Sequence, residues 1–464
     1  MDAGYLTLWG IKCTCYIDKD RIVAVSLDRN TTFPFEHNFN KDFFIEYYGT
    51  RGKNIAKIKS VTIPESNVAF LYPKYILKRS LSEYFCMLEI TGDAVDDFFS
   101  PSRYFYNKSV NNDKIEGNLL YDGFVADEWN IVYDNQNINV NLSYGNILSR
   151  GVFSDLKLKA KITISFKETK DIEFVYNLLS LIIKLLKIIG CCNNIGILKT
   201  ELFNKNNNGF SLCGELNNYN GEEEYYKKHI GAYNYSSYKD YIFRFLKFVA
   251  DNPDYPTSHF PKTGFRNSDN EYTYKDFIDI FNTFELECHE NYDLYIKKDQ
   301  EGIVNIKKEV LAKVDEIQKN NLTNEEKDYI EGVKSKIGSY GNELSLNKRV
   351  FNAYCVAKES LKDSIDRILY LHKYKSNNKL DDKIIKDISK HLTSDIRNGI
   401  YHGDYHCEFD EFDKQDIHFL EILVYVMMLK RASFTDNEIS KIIGTVFHVN
   451  NILTNELLEN SDKN

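Results

Sequence analysis

The first 166 residues are written with a period of two. Over 6–11, 22–25, 138–142 and 158–164, apolar and β-branched residues alternate or run together, with Asn- and Asp-rich turns between them. That pattern predicts strands with one face turned to a core, and a β-sandwich-like module is the expected outcome. The rhythm then changes. From 171 to 189 the chain is apolar nearly throughout, which predicts one long buried helix. Lys184 and Lys187 interrupt the run and it is short for a bilayer, so no membrane span is expected. Strand-like pieces return at 195–203 and 210–215, and helical spacing takes over at 238–250 and 274–287.

The last third is written in threes and fours. Val350, Tyr354, Ala357, Leu361, Ile365, Ile368 and His372 recur at helical spacing and predict an amphipathic helix over 348–373. After the polar turn Ser376-Asn377-Asn378, the positions Ile384, Ile385, Ile388, Leu392 and Ile396 mark the inner stripe of a second helix. An acidic run follows (Glu408, Asp410, Glu411, Asp413) and predicts a solvated loop. The stretch 416–430 is apolar on nearly every side and predicts a buried core helix. Thr323 with Glu326, and Thr435 with Glu438, form two capping-box patterns. The first opens a helix toward Ile337; the second opens one with Ile439, Ile442, Ile443 and Val446 inward. Together these elements predict an α+β multidomain protein. Residues 1–215 form a β-rich N-terminal domain with one long apolar helix, 216–302 a mainly helical connecting region, and 303–464 an all-α helical bundle.

Composition narrows the functional classes. A chain of 464 residues exceeds one comfortable core, in line with more than one domain. Its net charge of −9 argues against a high-affinity, sequence-independent nucleic-acid binder, because phosphate affinity comes mainly from lysine and arginine. A local basic groove or a small structured RNA remains compatible with it. The nine cysteines are odd in number and contain no C-x2-C pair, so a zinc ribbon is not expected and reduced thiols in a cytoplasm fit better. The start lacks a basic region followed by an apolar run, so no signal peptide is expected. Tyr225-Tyr226-Lys227-Lys228-His229 invites a base-stacking reading. Asn, Lys, Ile, Tyr and Phe are abundant throughout, however, which favours compositional drift over local selection.

Chemistry concentrates in Ser394-Asp395-Ile396-Arg397-Asn398-Gly399-Ile400-Tyr401-His402-Gly403, at the end of the second C-terminal helix pattern. The spacing Arg-Asn-x-x-x-His resembles the R-x4-H signature of the HEPN superfamily, and that resemblance implies metal-independent breakage of RNA, in which the 2′-hydroxyl attacks the adjacent phosphate. A base must take the 2′ proton, an acid must protonate the leaving 5′-oxygen, and a cation must offset charge on the phosphorane. Histidine suits the proton transfers and arginine the phosphate oxygens, and Asn398 can orient the imidazole or donate to phosphate. On a straight helix Asn398 shares a face with His402, Arg397 pairs with Tyr401, and Arg397 and His402 diverge by about 140°. A kink or helix end is needed to bring the last two together, and Gly399 and Gly403 permit one. One His402 does not readily serve as both base and acid, so the chemistry predicts a homodimer with a shared site. The competing reading makes Arg397 a solvated helix-end charge and His402 a capping or core residue.

The segment from about 303 to 455 resembles the ApeA-like HEPN domain of prokaryotic abortive-infection proteins. The likeness rests on Val356-Ala357-Lys358-Glu359-Ser360-Leu361 on the first long helix and on 395–403, with its R-x4-H signature, after the second. Upstream, the order of β module, apolar helix, short strands and helices is similar to the N-terminal region of ApeA-type proteins. The resemblance implies a HEPN endoribonuclease of antiviral defence that needs no metal or cofactor. Arg397, Asn398 and His402 are then the catalytic set, with Glu359, Asp363 and Tyr401 in support. It further implies cleavage of host or phage RNA, transfer RNA among the candidate targets, by a homodimer formed through this domain. The N-terminal region would sense a phage-derived trigger or restrain the nuclease. Three alternatives stay open: a non-catalytic dimerisation or RNA-binding module, a toxin neutralised by a protein acting on Tyr401 or His402, and a zinc clasp. The clasp would use His402, His406 and Cys407, with Cys288-His289 adding ligands. The acidic run 408–416 would be a gate that repels phosphate if it faced the site, and Gly49–Asn54 only faintly echoes a phosphate loop.

Overall fold

The computed structural model describes residues 3–18, 20–34, 42–49, 52–78, 82, 84–99, 124–147, 157–207, 209–218, 238–261, 272–296, 301–318, 323–339, 343–362, 365, 382–403 and 408–447. The chain divides into two compact units, Met1–Phe265 and Arg266–Asn464. The stretch expected to connect two domains is therefore shared between them.

The described part of the first unit is built on twelve antiparallel strands: β1 (Ala3–Leu8), β2 (Ile11–Asp18), β3 (Arg21–Ser26), β4 (Phe43–Gly49), β5 (Gly52–Glu65), β6 (Val68–Lys78), β7 (Phe85–Thr91), β8 (Phe124–Tyr133), β9 (Gln136–Ile147), β10 (Lys157–Thr169), β11 (Lys199–Asn206) and β12 (Gly209–Asn218). They pair in the order β3-β2-β1-β4-β5-β6-β12-β11-β7-β10-β9-β8, and an additional β3–β6 pairing closes the first six into a barrel. The β-rich N-terminal region is thus present, but as a closed barrel continued by a sheet rather than as a sandwich. The closing pair, Ile22 with Leu71 and Val25 with Val68, joins segments more than forty residues apart by sequence numbering, and no local period announces it. Strand β6 makes both halves possible. Its first part bonds to β3, its last part (Tyr75 to Lys78) bonds to β12, and Pro73, which has no N–H to donate, sits between them.

Alternation explains the barrel interior. Leu6, Leu8, Cys13, Cys15, Ile45 and Tyr47 point inward from β1, β2 and β4 and pack on Ile22, Ala56, Ile58 and Leu71. The side chains of Cys13 and Cys15 are almost fully buried and pack as small hydrophobes. The predicted strand over 6–11 is interrupted: Trp9 (φ 50°) and Gly10 (φ 81°) form a two-residue hairpin between β1 and β2. A tryptophan at a left-handed position carries no turn signal. Asp134 and Asn135 (φ 48° and 58°) make the equivalent turn between β8 and β9. Gly4 is required for another reason, since a Cβ there would lie 2.2 Å from the Tyr48 carbonyl oxygen of the neighbouring strand.

Three helices complete the described part of this unit: α1 (Asp93–Phe99), α2 (Ile172–Gly190) and α3 (Ile242–Asp251). The apolar run predicted as a buried helix is α2. Asp171 caps it by accepting from the Glu173 and Phe174 amides at 2.9 and 3.1 Å. Glu173 ties its first turn to the barrel through Lys57 (2.8 Å), Lys74 (3.4 Å) and the Tyr75 hydroxyl (2.9 Å). Among the described residues no helix is long and apolar enough to cross a membrane, and no disulfide joins the described cysteines.

The described part of the second unit is helical apart from loops and an isolated bridge at Glu343. It comprises α4 (Tyr274–Glu290), α5 (Tyr292–Tyr295), α6 (Glu301–Gln318), α7 (Asn324–Ser339), α8 (Leu346–Leu361), α9 (Asp382–Lys390), a π-helical segment His391–Arg397, α10 (Asn398–His402), α11 (Glu411–Arg431) and α12 (Asp436–Val446). Helix α11 is the axis of the core, buried at Ile417, Leu420, Leu423, Val424 and Met427 and packed against α4, α8 and α12. Both predicted capping boxes form: the Glu326 carboxylate accepts from the Thr323 amide at 2.8 Å, and that of Glu438 from the Thr435 amide at 2.9 Å. The helix predicted over 348–373 ends earlier. Helix α8 stops at Leu361 because Lys362 turns to φ 50° and its amide closes on Lys358. Ile365 is helical and buried again, and 366–381 lie outside the described residues.

Candidate functional site

The candidate motif sits where helix type changes. Helix α9 presents Ile385 and Ile388 to the core, and the π segment continues that stripe with Leu392 and Ile396, all almost fully buried. Hydroxyls help loosen the α-helical ladder here. Ser389 donates to the Ile385 carbonyl at 2.6 Å and Thr393 to the Ser389 carbonyl at 2.8 Å, both four residues back. Widened turns of this kind concentrate at functional sites. Helix α10 then carries the motif for five residues and ends at Gly403, whose φ of 75° forms the left-handed cap. The break expected at Gly399 occurs upstream of it instead, in the π segment, because Gly399 itself is helical.

The segment is anchored by a histidine the sequence pattern did not single out. His391 Nδ1 lies 2.7 Å from Asp416 Oδ2, and Nε2 lies 3.2 Å from Asp413 Oδ1. Both carboxylates belong to α11 and are buried, Asp416 almost completely. This corrects the reading of the acidic run. Asp410 caps α11, its carboxylate accepting from the Phe412 and Asp413 amides, while Asp413 and Asp416 turn inward to His391. Glu408 and Glu411 remain exposed.

Arg397 leaves the end of this anchored turn and reaches α4. Its guanidinium carbon lies 5.2 Å from the Phe281 ring centre and 4.8 Å from that of Tyr401, the i+4 neighbour predicted to share its face. Nη1 donates to Asn398 Oδ1 at 3.3 Å and Nη2 to Glu285 Oε2 at 3.4 Å. Both contacts are long for a charged donor, whose bonds to oxygen usually measure about 2.7–2.9 Å. Nε is buried, with no hydrogen-bond partner among the described residues. The guanidinium therefore lies beside two aromatic rings, and among the described residues little of its donor capacity is used. The Tyr401 hydroxyl completes the junction, donating to Asn282 Oδ1 at 3.4 Å from a side chain that is otherwise exposed.

His402 and Asn398 are exposed, and within one chain no hydrogen bond or ion pair joins Arg397 to His402. The acidic neighbour of Arg397 is Glu285 on α4, not Glu359. Glu359 lies exposed on α8, where its charge acts on Tyr295 and Cys355. Asp363 is outside the described residues, as are His406 and Cys407 of the zinc alternative. Among the described residues no group of three His, Cys, Asp or Glu side chains is arranged to hold a metal ion. Cys288 and His289 face opposite ways: the Cys288 thiol is fully buried and pushed up to about 12 by burial, whereas His289 is exposed. Gly49 and Gly52 join two antiparallel strands, not a strand and a helix as a phosphate loop requires.

The partners of Arg397 were hidden from the sequence because they come from α4, with Glu285 112 residues away along the chain. A weak signal existed in α4, where Phe281 and Glu285 are four residues apart and so share one helical face. Comparison of the chain with family models, with curated proteins and with solved structures found no match.

Proposed function

We propose that the chain is a metal-independent endoribonuclease of the HEPN type, acting as a homodimer in bacterial antiviral defence. The observation that carries this reading is Arg397: a guanidinium beside two rings whose hydrogen bonds among the described residues, 3.3 and 3.4 Å, are both long. Such a group is prepared for an oxyanion with two oxygens to offer. The 2′-hydroxyl of RNA attacks the adjacent phosphorus and the bond to the 5′-oxygen breaks, leaving a 2′,3′-cyclic phosphate and a 5′-hydroxyl. Arg397 stabilises the phosphorane and Asn398 orients. His402 of one protomer takes the 2′ proton, while that of its partner gives a proton to the leaving oxygen. A second copy is called for because one His402 does not readily serve as both base and acid. The β-rich unit is assigned the sensing of a phage-derived trigger, with host RNA, transfer RNA included, as the target class and the cytoplasm as the place of action.

The test is expression of the intact chain beside Arg397→Ala and His402→Ala, followed by sequencing of RNA ends. Wild type is expected to produce new 5′-hydroxyl ends, with chelator present, and both variants are expected to lose them. Equal RNA profiles in all three would remove the enzyme. A non-catalytic RNA-binding or dimerisation module is the second reading, and the exposed His402 without a described partner favours it. The exposure of Tyr401 (54%) similarly leaves room for a neutralising protein of the toxin–antitoxin kind.

A further inference from the structure

We infer that Glu285 is a built-in counter-ion that holds the place of the substrate phosphate on Arg397 and sets how tightly RNA is bound. The inference rests on the reading of Arg397 as the phosphate-holding residue and adds a restraint to it. Three features of the geometry point this way.

The pair is placed for displacement rather than for strength. A structural arginine–carboxylate bridge is short and often bidentate. Here a single Nη2–Oε2 contact of 3.4 Å joins two side chains that are each about a quarter exposed (23% and 27%). Nearby, the same unit shows what a structural bridge looks like: Arg431 meets the fully buried Glu287 at 3.0 Å and Glu290 at 3.2 Å. The two glutamates lie two residues apart on α4, and only one pair is buried.

Arg397 does not need Glu285 to stay in position. The Phe281 and Tyr401 rings lie beside the guanidinium, their centres 5.2 and 4.8 Å from its carbon, and Tyr401 is itself tied to Asn282. Removing the carboxylate therefore leaves the fork where it is, with more donors free. The charge of Glu285 also opposes the ligand. A phosphodiester approaching Arg397 meets a carboxylate within a few ångströms of its binding place, and like charges at that range repel measurably even near water. Glu285 must swing aside or remain as a penalty on binding. Either way it weakens RNA relative to a bare Arg397 site, a useful property in an enzyme whose target is its own cell's RNA.

The experiment uses the full chain and a fluorescent single-stranded RNA with 2′-O-methyl groups throughout, which blocks strand cleavage, and reads binding by anisotropy. Glu285→Gln is expected to bind about fivefold more tightly than wild type, with a larger gain at low salt. Arg397→Ala and the double variant are expected to bind weakly and alike, since the gain acts through Arg397. Should E285Q not keep the wild-type circular dichroism, Glu285→Ala takes its place with the same expectation. Equal or weaker binding by the folded variant, or a gain that persists without Arg397, overturns the inference. The proposed catalysis is judged separately: tightening through Arg397 without any RNA cleavage sinks the nuclease and keeps the counter-ion, whereas cleavage with no tightening does the reverse.

Discussion

The imidazole of His391 lies 2.7 Å from the Asp416 carboxylate, and its other nitrogen faces Asp413 at 3.2 Å. This clasp fastens the first residue of the π segment to the central helix α11. His391→Ala removes a hydrogen-bonding partner from two buried carboxylates, and such a loss costs about 1–3 kcal/mol, more for a charged group. With His391 partly exposed (27%), a loss of about 1–3 kcal/mol is expected in urea unfolding of the second unit. A change below 0.5 kcal/mol would show that the clasp contributes nothing.

Arg397→Lys is expected to behave like Arg397→Ala in RNA cleavage, with activity down by about 100-fold or more. A lysine keeps the charge but supplies neither the planar group beside Phe281 and Tyr401 nor two parallel donors. Near-wild-type cleavage by the lysine variant would mean that charge alone suffices.

Glu173 gives the barrel unit an acid-sensitive anchor. Burial tends to raise its pKa, but hydrogen bonds from Lys57 and Tyr75 and the charge of Lys74 outweigh this and hold it below its ordinary 4.5. A carboxylate lowered on folding contributes stability above its unfolded value and loses it as pH falls through the folded one. The advantage of wild type over Glu173→Gln is therefore expected at pH 7 and should shrink steadily below about pH 4.5, as read by urea melts at several pH values. A gap that stays constant down to pH 3 would contradict this.

Lys362 stands at φ 50°, where a side chain is strained and glycine is not. Lys362→Gly is expected to raise stability by about 0.5–1 kcal/mol, measured by thermal unfolding, despite the greater freedom glycine gives the unfolded chain. Destabilisation would indicate that the lysine side chain makes a compensating contact.

What the sequence disclosed follows the range of the forces involved. The capping boxes at Thr323 and Thr435 were legible because donor and acceptor are three residues apart. Helix α2 was legible because Asp171 and a long apolar run mark it, and the face shared by Arg397 and Tyr401 followed from helical geometry. Barrel closure through Ile22 and Leu71, the clasp of His391 on Asp416 and the approach of Glu285 to Arg397 were not legible, since each joins distant segments. The acidic run misled for a related reason. Charge argued for solvent, while the partner that draws Asp413 and Asp416 inward lies on another element. The same limit applies to Glu359, chosen by its place on a helix, whereas the carboxylate that contacts Arg397 is that of Glu285 on another helix.

Among the described strands of the first unit, β6 is the one shared by the barrel and by the sheet beyond it. It is an eleven-residue ribbon with Pro73 at the fork. Cutting or reshaping any peripheral strand would unravel one side only, whereas a break in β6 would part both at once. Unit-wide loss of order should accordingly follow from damage to this ribbon, and insertions should be borne far better at the β8–β9 hairpin than anywhere along it.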